Sequence, residues 1–164
     1  MSRIDVDKTV RDLAAGELPG WIADHLRVYR DSGGHAGHLW DASAAGGRPD
    51  TPCLLLTTVG RRSGERRTMP LIYGVDEDGD GRRYVVIGSK GGADTQPAWY
   101  HNLLADPRVE LQVGAARLSA TARIAAGAER ARLWSMMVGV YPPYEDYQRK
   151  TTREIPVVVM TPMR

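Results

Sequence analysis

The chain has 164 residues, 42% hydrophobic and 26% charged, with a formal net charge of +2. That length suits one globular domain able to bury ~70% of its unfolded surface, and so mild a net charge argues against a nucleic-acid coat. Cys53 is the single cysteine, which excludes an internal disulfide and a cysteine-based zinc site.

Residues 5–15 place Val6, Val10, Leu13 and Ala14 on one helical face, with Asp5 as the expected N-cap. Met1 to Leu18 lacks a signal-peptide core, and no run approaches the ~20 apolar residues of a membrane span. A cytoplasmic protein is expected, with peripheral membrane contact through the N-terminal helix left open along with the oligomeric state. Leu18, Trp21, Ile22, His25, Leu26 and Tyr29 form a second apolar stripe that ends before Gly33-Gly34. His25 on such a stripe reads as a hydrogen-bonded core histidine. Residues 31–50, rich in Gly, Ala, Asp and Ser, read as a surface loop. His35 and His38 within it lack helical spacing and further ligands, so no metal is expected there.

The stretch from Cys53 to Ile72 organises the chain. Leu54, Leu55, Leu56, Thr57, Thr58 and Val59 suit a strand buried on both faces. Gly60 and Gly64 bound a tight turn, and a second strand runs through Thr68, Met69, Leu71 and Ile72. Arg61, Arg62, Arg66 and Arg67 crowd this unit, with Ser63 between them and only Glu65 opposing. Guanidiniums so close repel one another unless water or an anion neutralises them, and each can grip phosphate or carboxylate through two parallel donors. The unit reads as a polyanion site at the rim of a sheet, or as a solvated hairpin that keeps an edge from aggregating.

Asp76 to Gly81 matches the first half of a calcium loop, but Ile87 stands where the bidentate Glu belongs, and Tyr84 to Ile87 reads as a strand. A hairpin turn is expected instead. Gly88-Ser89-Lys90-Gly91-Gly92 then forms a donor-rich loop. Thr95 is expected to cap a helix from Ala98 to Leu104, with Pro97 in its first turn. Its N-terminus beside a basic glycine loop offers N–H groups to an anion or a polar ring edge; a plain connector with Trp99 and Leu103 in the core is the alternative.

Arg108 to Val113 and Ala116 to Ile124 read as a hairpin turning at Gly114. Residues 128–140 read as a helix with Leu133, Trp134, Met137, Val138 and Tyr141 on one stripe, broken by Pro142-Pro143. Tyr141, Tyr144 and Tyr147 recur every third residue, as a pocket wall or as core aromatics. Ile155 to Met160 reads as a buried strand. Together these elements give an α+β protein with mostly antiparallel strands in a closed or partly closed barrel. No His/Asp pair or paired carboxylates stand at a spacing suited to hydrolysis.

Thr57-Thr58-Val59-Gly60-Arg61-Arg62-Ser63-Gly64 with Arg67 and Pro70, then Gly88-Ser89-Lys90-Gly91-Gly92 with Pro97 to Asn102, then Tyr141-Pro142-Pro143-Tyr144-Glu145-Asp146-Tyr147-Gln148 follow in order. Taken together they resemble the deazaflavin-dependent nitroreductase family, which uses coenzyme F(420). The resemblance implies a split β-barrel related to FMN-binding barrels. Residues 1–30 would be an N-terminal helical extension and residues 31–164 the deazaflavin-binding domain. It also implies an oxidoreductase that passes hydride from the reduced coenzyme to a quinone or nitroaromatic. Carried across, Arg61, Arg62, Ser63, Arg67 and Lys90 would hold the phosphate and polyglutamate tail. Pro70, Ile87, Gly88, Ser89, Pro97, Ala98, Trp99 and Asn102 would line the ring. Tyr141, Tyr144 and Tyr147 would face the acceptor, with the hydroxyl of Tyr144, and secondly Ser89, meeting the developing oxyanion. Ile72 stands where family members carry tyrosine, which leaves acceptor specificity open. The alternatives are an FMN-dependent oxidoreductase of the related barrel class and a non-catalytic deazaflavin-binding protein. An RNA-binding module is less apt, because the arginines lack interleaved aromatic residues for base stacking.

Overall fold

The computed structural model describes residues 19–78 and 80–163; the helix expected over 5–15 and its Asp5 cap lie outside them. Helix α1 (Gly20–Asp31) leads into β1 (Leu39–Trp40), β2 (Thr51–Val59), β3 (Arg66–Ile72), β4 (Gly74–Asp78) and β5 (Gly81–Ile87). Then follow α2 (Ala98–Ala105), β6 (Arg108–Val113), β7 (Ala116–Ile124), α3 (Gly127–Val140), α4 (Tyr144–Arg149) and β8 (Val157–Pro162). The loop expected over 31–50 carries β1 and a short 3-10 turn at Ser43–Ala45. No helix among the described residues is long and apolar enough to cross a membrane.

The strands form one antiparallel sheet in the order β1-β2-β6-β7-β8-β5-β4, with β3 also laddered to β2. The sheet curls until β3 touches β5, yet no ladder joins them among the described residues. The barrel is split there. Pro70, which lacks an N–H, sits on β3 opposite Leu55, as suits an edge strand.

Alternation along the central strands builds two cores, one on each face. Val86, Val158 and Met160 point into the barrel with Leu54, Leu56 and Leu111. Val85, Ile87, Val157 and Val159 lie outside it, under Leu133 and Met137 of α3 and the tyrosines at and beyond its end. Helix α1 is fastened by Tyr29, wholly buried. Its hydroxyl lies 3.0 Å from the Cys53 carbonyl and 3.1 Å from that of Gln112, and accepts the Gly114 N–H at 2.7 Å. Burial pushes that phenol up to about 12.

Thr95 does not cap α2. Pro97 occupies the cap position, two residues too late for Thr95 to reach the first turn, and the Thr95 hydroxyl instead accepts a bond from Lys90 Nζ at 3.1 Å. The acidic run at Asp76 is a β4–β5 hairpin, as expected. Asp76 is buried and accepts Nη2 of Arg83 at 2.6 Å and a two-pronged contact from Arg132 at 2.8 and 3.2 Å. It ties α3 to the sheet. The bond from Arg132, then that from Arg83, holds its carboxyl below the usual carboxylate value against the opposing effect of burial.

Replacing Asp76 by Asn removes the buried carboxylate charge that Arg83 and Arg132 both grip and is expected to cost about 3 kcal/mol in urea unfolding. Because the folded pKa is depressed, the stabilisation is complete above the unfolded value near 4 and is lost as pH falls through the folded one. The wild-type advantage over Asp76→Asn therefore shrinks on acidification below about pH 4.

Candidate active site

A cavity of about 860 Å³ opens where β3 and β5 part, within the range of cofactor sites. One wall is the turn between β2 and β3 with the start of β3, from which Arg61, Arg62 and Ser63, then Arg66 and Arg67, line it. All four arginines are exposed, and Arg67 pairs with Glu65 at 3.0 Å between two exposed side chains, a contact of small strength. Arg61 is fixed more firmly: its backbone N–H and its Nη1 both donate to Asn102 Oδ1 at 3.2 Å. Buried Asn102 in turn donates to Thr58 Oγ1 at 3.1 Å. Asn102 thus orients the arginine turn as well as lining the cavity. The Ser63 hydroxyl accepts the Glu65 N–H at 3.1 Å and helps to close the turn.

A second wall is Ser89 and Lys90, with Gly91 beside them. Burial, then the nearby charge of Arg153, lowers the Lys90 ammonium from its ordinary value. Pro97, Ala98 and Trp99 come from the start of α2, and Pro70 and Ile87 from the two strands that border the split. Gly88 is the exception among the expected residues and does not line the cavity. A Cβ there would lie 2.7 Å from Pro156 Cγ, so Gly88 is required for close approach to the segment entering β8.

Tyr141, Tyr144 and Tyr147 line the cavity and are also core, 3%, 4% and 9% exposed. Both readings of the tyrosine repeat hold at once, because the wall of the cavity is the outer core. The hydroxyls of Tyr141 and Tyr147 share a hydrogen bond of 2.7 Å. Tyr144 meets Tyr141 edge-on at 4.9 Å between centroids, and among the described residues its hydroxyl has no hydrogen bond. Burial raises all three phenols, with the Tyr141 bond opposing it at Tyr147. They can donate hydrogen bonds near neutral pH without acting as bases.

Helix α1 was missed as part of this site. Trp21, His25, Leu26 and Arg30 line the cavity, and Trp21 stacks on Trp40 of β1 at 5.5 Å and 13°. His25 is hydrogen-bonded as expected, through Nε2 to the Gly37 carbonyl at 2.7 Å, yet it faces the cavity. The one available signal was composition: a stripe carrying Trp and His beside Arg30 is richer in polar tips than core requires. The whole suits a flat aromatic ligand with an anionic extension. Among the described residues no cluster of His, Cys, Asp or Glu is arranged to hold a metal ion.

Comparison with known proteins agrees with that shape. The family model for F420H(2)-dependent quinone reductase matches residues 21–162. The F420H(2)-dependent quinone reductase Rv1261c of Mycobacterium tuberculosis is 40% identical over 140 residues, 84% of this chain and 87% of that protein. A solved F420-H2 Dependent Reductase (FDR-A) has a TM-score of 0.59 and 44% identity over 66% of this chain and 93% of that one. A structure described as a domain-swapped dimer has a TM-score of 0.60 and the same 44% identity, over 66% of this chain and 79% of that one.

Raised phenol values make a measurable prediction. Protons held by the folded state above pH 10 stabilise it below that pH, and the contribution is lost as pH rises from the unfolded value near 10 toward the folded ones. Unfolding free energy should fall above about pH 10, less steeply in Tyr144→Phe, and the absorbance of the three phenolates should appear only with unfolding.

Proposed function

The chain belongs to the F420H(2)-dependent quinone reductase family, and from that premise we propose that the split-barrel cavity receives the reduced coenzyme and a quinone together, for hydride transfer from one to the other. The protein is a deazaflavin-dependent reductase with coenzyme F(420) as its cofactor. The observation that carries the finer reading is the pairing of a cationic rim with an aromatic cavity: four exposed arginines with Glu65 as their one salt-bridge partner among the described residues, beside a buried tyrosine wall. These residues fit a planar ring bearing a polyanionic tail. When bound, the reduced deazaflavin supplies the hydride.

The remaining work falls to the chain. Arg61, Arg62, Arg67 and Lys90, with the Ser63 hydroxyl, neutralise phosphate and glutamate carboxylates through charge-assisted bonds. Pro70, Ile87, Ser89, Pro97, Ala98, Trp99 and Asn102 shape the ring slot. The three tyrosines exclude water from the acceptor, which strengthens each polar contact there. Tyr144, whose hydroxyl no group among the described residues engages, donates to the oxygen that gains charge, with Ser89 as second donor. Burial keeps that phenol protonated across the working pH range. A nitroaromatic presents similar oxygens to the same donor and is the second acceptor to test.

In steady-state oxidation of reduced coenzyme F(420), turnover should depend strictly on added menadione, and Tyr144→Phe should lower kcat about 100-fold with coenzyme affinity held. Submicromolar binding of FMN with none of the deazaflavin would overturn this reading, and so would unaltered turnover of the tyrosine variant with every acceptor remove Tyr144 from it.

The double variant Arg61→Ala, Arg62→Ala should bind the coenzyme about 3 kcal/mol, or on the order of 100-fold, more weakly by tryptophan quenching. Its stability should stay within about 0.5 kcal/mol of wild type, since both side chains are exposed. A collapse in melting with unchanged affinity would make the arginines structural.

A further inference from the structure

The loop between β5 and α2 gives Ser89, Lys90 and Gly91 to the cavity wall, but in a conformation it would not choose alone. Lys90 has φ 45°, and Gly91 and Gly92 follow at 63° and 85°. A lysine in the left-handed region persists only where its surroundings impose it. A Cβ at Gly92 would meet the Tyr147 carbonyl oxygen at 2.7 Å, so the loop also sits tight against α4.

Arg153, on the segment between α4 and β8, supplies the constraint without itself lining the cavity. Its Nε donates to the Ala93 carbonyl at 2.6 Å and its Nη2 to the Ser89 carbonyl at 2.8 Å. Nη1 reaches the Gly88 carbonyl at 3.2 Å and Gln96 Oε1 at 2.7 Å. In a trans peptide the N–H lies opposite the carbonyl, so drawing the Gly88 and Ser89 carbonyls toward Arg153 turns the Ser89 and Lys90 N–H groups away from it. Among the described residues no backbone carbonyl accepts the N–H of Ser89, Lys90 or Gly91. All four acceptors of Arg153 are neutral, while the nearby Asp94 carboxylate favours its charged form. Arg153 is anchored in turn, its carbonyl accepting Gln148 Nε2 of α4 at 2.7 Å.

We propose that Arg153 is a positioning residue: it holds the 88–96 loop in the form that presents Ser89, Lys90 and Gly91 to the anionic coenzyme, and through Gln148 it sets that loop against the tyrosine helix. The inference rests on the reading of the cavity as the deazaflavin site. A lysine could not substitute, because one ammonium cannot span acceptors that a planar guanidinium reaches from three nitrogens.

The test compares Arg153→Lys and Arg153→Gln with the wild type by three measurements: hydrogen exchange of the apo-protein, quenching of cavity tryptophan fluorescence by coenzyme F(420), and steady-state kinetics with menadione. Amide exchange across 88–96 should rise about tenfold in both variants with β2 and β6 unaffected. The Kd of the coenzyme should rise about tenfold and its KM with it, while kcat at saturating coenzyme stays within about twofold. Arg153→Lys keeps the charge and most of the volume, so it serves if the Gln variant does not fold. A purely structural arginine would lower the Tm and leave Kd unmoved; that result, or unchanged exchange across 88–96, overturns the proposal. Wild-type protein that fails to bind the coenzyme overturns the site reading too, whereas equal affinity in wild type and Arg153→Lys overturns this inference alone.

Discussion

Positive charge gathered at an opening in the barrel is the constraint on which the rest of this structure turns. Arg61, Arg62, Arg66 and Arg67 project from one short turn, and Glu65 is the carboxylate that answers them there. Such a cluster is unfavourable in isolation, so the fold must hold it by other means. The β2–β3 ladder does so from Cys53–Ile72 at one end to Val59–Arg66 at the other. Beyond the ladder, the Gly60 N–H closes the turn on the Glu65 carbonyl at 2.7 Å, and Asn102 fastens Arg61 to α2. The repulsion is thereby stored in a rigid frame, ready for relief by an anion.

Burial then separates the two chemistries of the cavity. At the rim the guanidiniums stay in water, where charge recognition is fast and screened. Deeper in, the tyrosines are at once core and lining, and the same desolvation that keeps them protonated also strengthens any hydrogen bond they donate. Strand β5 serves both zones, with Val86 in the barrel, Val85 under α3 and Ile87 at the cavity. One alternating strand thus spans core, support and site.

What was legible in the sequence were the features whose cause is local. The apolar run at Leu54, the turn glycines, the Pro142-Pro143 break and the tyrosine repeat each carry their own structural instruction. The family motifs added the cavity, and all of their expected residues but Gly88 line it. What escaped depends on partners far along the chain. Asp76 looked like a turn acid until Arg132 was beside it. The α1 stripe looked like core because amphipathicity marks a face to be covered and says nothing of whether protein or ligand covers it. Arg153 gave no sign at all, since three of its four acceptors are backbone carbonyls some 60 positions away and carbonyls carry no sequence.

Edge protection and the anion binding proposed for the arginine hairpin describe one physical device. Among the described residues the split barrel leaves β3 with a ladder on one side, and an unpaired edge invites another strand. Pro70 removes a donor from that edge, and arginines at and beside its start repel a second copy of themselves. Closing the barrel would abolish the hazard, but it would also abolish the cavity, because the cavity is lined by the strands that fail to meet. Charge is therefore placed where the fold is open. A polyanion would satisfy those arginines in a way that a neighbouring copy of the same edge, bearing like charge, cannot. The selectivity proposed for the site and the protection of the edge have a common origin in the sign of that turn.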